Sequence, residues 1–116
     1  MSTRKNSLRV LPSIAERIPE RASQLGVTVS GLIAAIVWNH AQAPCVIAAE
    51  ASPPSLARVN LPCSWRRGMR AMLLRLARDA GLTPNALVEA LLARELRSPE
   101  PTLTLLPRRG SVKPRL

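Results

Sequence analysis

Two stretches of this chain, 55 positions apart, carry nearly the same pattern. Gly26-Val27-Thr28-Val29-Ser30-Gly31-Leu32-Ile33 is answered by Gly81-Leu82-Thr83-Pro84-Asn85-Ala86-Leu87-Val88. An alanine stands four residues before each leading glycine (Ala22, Ala77). Upstream of each lies a β-like run ending in Leu-Pro, Leu8-Arg9-Val10-Leu11-Pro12 and Ala57-Arg58-Val59-Asn60-Leu61-Pro62. The pattern is a strand followed by two helices, written twice. A unit of roughly 40 residues buries too little apolar surface to stand alone, so two copies are expected to share one core.

Residues 1–6 read as a basic arm, 7–42 as the first copy, 43–55 as a linker, 56–97 as the second copy and 98–116 as a basic, proline-rich tail. Leu8 and Val10 alternate with Ser7, Arg9 and Leu11, the period of a strand. A slip of one residue would turn Arg9 inward. Ser13 is a fair N-cap for a helix with Ile14, Ile18, Ala22 and Leu25 on one face. Pro19 either begins that helix or kinks it, at a cost of about 3 kcal/mol inside a helix. Gly26 suits the left-handed position that closes a helix. Thr28 then caps a second helix, striped by Leu32, Ile33, Ile36 and Val37, that runs to about His40.

The second copy puts Arg58 and Asn60 on one face of a strand over Ala57–Leu61, with Ala57, Val59 and Leu61 on the other. Ser64 or Cys63 caps a helix whose stripe is Trp65, Met69, Met72, Leu73, Leu76, Ala77 and Ala80, and Gly81 stops it. Thr83 caps the last helix, Pro84 takes its first position, and Leu87, Val88, Leu91, Leu92 and Leu96 face the core. The stretch from Leu-Pro to the glycine is longer in the second copy, Pro62 to Gly81, than in the first, Pro12 to Gly26. An extra helical turn or a longer joint is therefore expected in the second.

Seventeen basic residues face seven acidic ones, a net charge of +10 that calls for a polyanionic partner. Arg58, Arg66, Arg67, Arg70, Arg75 and Arg78 crowd residues 56–78 with no acid among them, while Asp79, Glu89 and Glu95 follow on the expected opposite side. Phe and Tyr are absent and the two tryptophans are Trp38 and Trp65, too few aromatic platforms for a single-strand binder. Cys45, Cys63 and His40 form neither a disulfide framework nor a metal cluster. Paired carboxylates, phosphate-cradling glycine loops and nucleophile–base groupings are missing, so neither catalysis nor a cofactor is expected. No signal-like apolar region follows the basic start. The most apolar run, Gly31 to Trp38, falls far short of the ~20 residues that cross a bilayer. A cytoplasmic location, nucleoid or plasmid associated and without a membrane partner, is the expectation.

The ordered motifs resemble the ribbon-helix-helix superfamily of DNA-binding proteins. They are Val59-Asn60-Leu61-Pro62, Ala77 to Gly81, Thr83 and Leu87-Val88 in one copy. The other has Val10-Leu11-Pro12, Ala22 to Gly26, Thr28 and Leu32-Ile33. Two copies in one chain are similar to the tandem ribbon-helix-helix proteins of T-DNA and plasmid transfer regions. The resemblance implies a mainly α fold with one short two-stranded antiparallel ribbon, a single-chain pseudo-dimer that binds double-stranded DNA. It implies that the ribbon enters the major groove, where each base pair shows a distinct donor–acceptor pattern. Arg9, Ser7, Arg58 and Asn60 would then contact bases, Arg suiting guanine and Asn adenine. Thr28, Ser30, Thr83 and Asn85, at positive helix ends, would hold phosphates, with Arg66, Arg67 and Arg70 adding backbone contacts. Because the strands differ, the site need not be palindromic. Transfer or regulatory proteins, and further association on DNA, are the other partners implied.

Two rival readings stand beside this one. Leu76 to Thr83 followed by Leu87 also fits a helix-turn-helix, which would place the Thr83–Arg94 helix in the groove. A basic protein-interaction module, antitoxin-like or a scaffold, would instead neutralise an acidic protein.

Overall fold

The computed structural model describes residues 3–42, 47 and 51–97, with residues 3–6 and 66 described by their backbone alone. The described residues are mainly helical, with one two-stranded sheet and four helices. Strand β1 (Thr3–Val10) leads into α1 (Pro12–Leu25) and α2 (Val29–Gln42). Strand β2 (Val59–Arg66) leads into α3 (Met69–Ala80) and α4 (Pro84–Leu96). The strands pair antiparallel over their whole lengths, from Thr3 opposite Arg66 to Val10 opposite Val59. Leu8 and Val10 of β1, and Leu61, Cys63 and Trp65 of β2, turn inward and join buried residues of all four helices in one apolar cluster. The first strand therefore holds the register that keeps Arg9 outside. Residues 3–6, read from sequence as part of an arm, extend that strand.

The alanine–glycine pairs have a common physical meaning. Gly26 (φ 71°) and Gly81 (φ 73°) adopt the left-handed conformation that closes α1 and α3. In each case the following N–H reaches back to the alanine carbonyl: Val27 donates to Ala22 O (3.0 Å) and Leu82 to Ala77 O (2.9 Å). This is the six-to-one bond of a Schellman close; the accepting group is backbone, and the small alanine side chains are buried in the core. The cap oxygens Thr28 Oγ1 and Thr83 Oγ1 accept from the Gly31 and Ala86 N–H groups at 2.9 and 3.1 Å, starting α2 and α4 as their positions predict.

Three local expectations are corrected. Leu61-Pro62 does not end a strand: the two residues lie inside β2, opposite Leu8 and Ser7. Cys63, Ser64 and Trp65 continue that strand, so neither Cys63 nor Ser64 caps a helix and Trp65 is a strand residue. Helix α3 begins only after Gly68 (φ 89°). The helices α1 and α3 have 14 and 12 residues, so the longer Leu-Pro spacing is not an added helical turn but the longer stretch from Pro62 to Met69, the alternative expected. Finally, α1 is not capped by Ser13. It starts at Pro12 without a side-chain cap, and it runs through Pro19, which is exposed.

Helix α4 is the centre of the packing. Leu87, Val88, Glu89, Ala90, Leu91, Leu92, Glu95 and Leu96 are buried, and α4 touches α1, α2, α3 and β1. Its acids are not on a surface opposite the arginines, as their lateness in the chain suggested. Glu89 Oε2 accepts from the Leu11 N–H (2.9 Å) and from Arg58 Nε (2.8 Å), while its Oε1 accepts from an Arg58 terminal nitrogen (2.9 Å). Glu95 meets Arg21 at 2.9 Å, both side chains almost fully buried. Burial of a carboxylate is tolerable only when its oxygens are so occupied.

Removing one partner of such a pair leaves the other charge in the interior. Glu95→Ala is therefore expected to lower unfolding free energy by about 3–5 kcal/mol, read as a shift of the urea midpoint at constant slope. Arg21→Met combined with Glu95→Leu should recover most of that loss, because two apolar side chains need no partners. His40 supplies a pH-dependent term. Burial, and then the nearby Arg94 charge, hold its imidazole below the ordinary value of 6.5, and its Nδ1 has no hydrogen-bond partner among the described residues. The unfolded chain thus takes up a proton that the folded chain refuses. His40 stabilises the fold above its ordinary value, and that contribution falls away as pH drops below about 6.5. Urea titrations of the wild type and of His40→Leu across that range should differ in slope, the variant being the flatter.

Candidate nucleic-acid interface

A strand in a two-stranded ribbon has one neighbour, so every second residue turns its backbone N–H and C=O to an open edge. Here helix starts fill those edges. Asn85, in the first turn of α4, accepts from the Arg9 N–H with Oδ1 (2.9 Å) and donates from Nδ2 to the Arg9 carbonyl (2.8 Å). Ser30, in the first turn of α2, accepts from the Ser64 N–H with Oγ (2.8 Å). Ser30 and Asn85 are related by the same offset as the two sequence copies, and so are Arg9 and Ser64. Because Arg9 and Ser64 direct their backbone outward, residues in phase with them (Ser7, Asn60, Pro62) do the same. The N–H that Pro62 lacks would have pointed away from β1. A proline in mid-strand therefore costs the ladder nothing.

The side chains of this same phase form the outer face. Ser7, Arg9, Asn60 and Pro62 are exposed, with Ser7 opposite Pro62 and Arg9 opposite Asn60. One Arg9 terminal nitrogen donates to Asn60 Oδ1 (3.3 Å) and the other to the Arg58 carbonyl (3.4 Å). The arginine thus lies across the end of the ribbon and ties its two strands. By register the face continues to Lys5 opposite Ser64. Those two positions were missed from sequence. The repeat offset would have found them, since it maps Arg9 onto Ser64 and Lys5 onto Asn60; the Leu-Pro match displaced it.

Arg58 does not join this face. It precedes β2, and its guanidinium is held by Glu89 and by the carbonyls of Ser52, Pro54 and Leu56. The Glu89 hydrogen bond raises its pKa further. Two-residue alternation gives the right phase at position 58, but a buried carboxylate within reach outbids solvent. Ser30 and Asn85 are likewise engaged with the ribbon backbone through the atoms expected to hold phosphates. Thr28 and Thr83 spend a lone pair on their own helices. Arg67 and Arg70 are exposed, while the Arg66 side chain and the 98–116 tail lie outside the described residues. Arg70 lines a cleft of about 200 Å³ beside β1, together with Ser7, Trp65, Leu74, Pro84 and Asn85. Three of the residues expected to meet DNA (Ser7, Arg70 and Asn85) are thereby brought to one place.

Burial raises the pKa of the Cys63 thiol, which disfavours thiolate chemistry there. No group of three or more metal-ligating side chains occurs among the described residues. No single helix among them is long and apolar enough to cross a membrane. Comparisons with protein-family models, curated proteins and solved structures return no match.

The Asn85 clamp is directly measurable. Asn85→Ala removes two hydrogen bonds to a strand edge, and the fold should lose about 1–2 kcal/mol. Hydrogen exchange at the Arg9 amide should accelerate far more than at the Val10 amide, which points across the ribbon.

Proposed function

We propose that this chain binds double-stranded DNA in the manner of the ribbon-helix-helix superfamily. In this reading its two β-α-α units are a tandem pseudo-dimer around one core, and the ribbon enters the major groove. The observation that carries the proposal is the ribbon's outer face. It is polar, exposed on both strands, and held in place by α2 and α4 at its edges. A two-stranded ribbon has the width that a groove about 12 Å across admits. The charge of +10 supplies the sequence-independent part of the attraction.

Arg9 and Asn60 are the base-contacting residues of this reading, with Ser7 at the ribbon centre. Backbone contacts fall to Arg67 and Arg70 and to the first-turn N–H groups of α2 and α4, beside the ribbon. Thr28 and Thr83 then act by shaping those ends, and Ser30 and Asn85 by fixing the ribbon against them. The helix-turn-helix alternative loses support from the burial of α4, since a helix with most of its surface in the core has little left to read a groove. The biological settings that suit such a module are accessory work in plasmid or T-DNA transfer and control of transcription or copy number. Partners of either system could dock beside it on DNA.

Duplex affinity should fall steeply and linearly with rising salt on logarithmic axes. Arg67→Ala and Arg70→Ala should each weaken binding to all sequences alike and lower that slope by about 1. A chain that shows no affinity for mixed duplex at low salt, yet is captured by an acidic protein, would support the interaction-module reading instead.

A further inference from the structure

We infer that the ribbon reads DNA from one end, through Arg9 and Asn60 acting as a single donor-rich unit that selects guanine. The inference rests on the duplex-binding proposal and adds to it a polarity and a base. An isolated asparagine offers one acceptor and two donor hydrogens, the pattern that suits adenine N6 and N7. Asn60 is not isolated: its Oδ1 accepts from the Arg9 guanidinium at 3.3 Å. That contact occupies one of the two lone pairs of Oδ1 and leaves both Nδ2 hydrogens to donate. Arg9 has no acceptor at all, and its second terminal nitrogen is steadied by the Arg58 carbonyl at 3.4 Å. The pair therefore presents more donors than acceptors. In the major groove, guanine is the base whose edge offers two acceptors, O6 and N7, and no donor. Adenine would set its N6 hydrogens against these donors, as would cytosine with N4.

The rest of the outer face does not repeat this unit. The ribbon centre holds Ser7 opposite Pro62, a hydroxyl beside a residue with no polar side chain. The far end holds Lys5 opposite Ser64, where the repeat offset would require a second arginine and asparagine for equal readout. Backbone cations are just as one-sided. Arg67 and Arg70 precede or open α3, whereas the corresponding positions of the first unit are Pro12 and Ala15. Discrimination is thus concentrated at the Arg9–Asn60 end, and the preferred site has a direction.

Selection from random duplexes with the full chain, followed by affinities on the selected site and its base-substituted versions, tests this. The expected site is non-palindromic, with a required G·C pair at one end. Arg9→Ala and Asn60→Ala should each reduce the preference for G over A there by about fivefold to 150-fold, the worth of one bidentate base contact. The double variant should lose little more than either single one. Arg9→Lys, which keeps the charge without the fork, should lose the preference as well and serves where the alanine variant folds poorly. A palindromic site, a required adenine opposite Asn60, or a guanine preference that survives Arg9→Ala would overturn the inference. Duplex binding without sequence preference would overturn it and leave the duplex-binding proposal standing; absence of duplex binding would end both.

Discussion

The open edges of a two-stranded ribbon govern much of the rest of the molecule. Among the described residues neither strand has a second neighbour, so each has a row of backbone groups that would invite pairing with another chain. This fold answers with the first turns of α2 and α4, placing one polar side chain against each edge. Asn85 satisfies both groups of Arg9, and Ser30 satisfies the Ser64 N–H. Those contacts fix where the two helices begin, and hence the inward face each presents. The Schellman closes at Gly26 and Gly81 then set the angle from which each helix arrives. Local turn chemistry and long-range edge protection are therefore parts of one arrangement.

Pairing between strands so distant in the chain must also be held at its ends, and here the two halves differ. Glu89 grips the chain where β1 gives way to α1, through the Leu11 N–H, and where the linker enters β2, through Arg58. One buried carboxylate thus joins two backbone joints at the same end of the ribbon. Its counterpart in the first unit is Ala34, so nothing equivalent comes from α2. The same asymmetry recurs at Glu95, which pairs with Arg21, against His40, whose imidazole is held neutral by burial. α4 carries buried ion pairs that α2, which has no acidic residue, does not supply, in keeping with its contacts to three helices and a strand.

The parts of this fold legible in the sequence were those set by short-range chemistry. Threonine caps, glycine closes and the 3.6-residue stripes of α1, α2 and α4, with that of α3 from Met69 onward, depend on residues within a turn or two, and they emerged where the pattern placed them. The errors share a different origin. Pro62 looked like a terminator because a strand proline normally removes a ladder bond, and only the pairing phase reveals that its missing N–H lay on the outer edge. Trp65 fitted a helical stripe with Met69 and Met72 as well as it fitted alternation with Leu61 and Cys63. Gly68, in the left-handed conformation, separates the two cases by standing between Trp65 and the start of α3. Arg58, Ser30 and Asn85 had the right exposure and chemistry for a ligand, yet each found a partner far away in sequence. Contacts of that kind follow from tertiary placement, which periodicity does not encode.

That distinction bears on how a site can be read from a doubled chain. An internal repeat supplies two versions of each position, and their differences carry as much information as their agreement. Where the versions agree the shared requirement is structural: core packing for Ala22 and Ala77, helix closing for Gly26 and Gly81, capping for Thr28 and Thr83. Where they share a task but not a side chain, as with Ser30 and Asn85, geometry is retained while the number of bonds changes. Where they share neither, as with Arg9 against Ser64 and Asn60 against Lys5, the backbone frame imposes no common side chain. Those positions crowd onto the outer face of the ribbon. A surface so lopsided in its chemistry suits a lopsided ligand, and under the proposed function a directional run of base pairs is such a ligand.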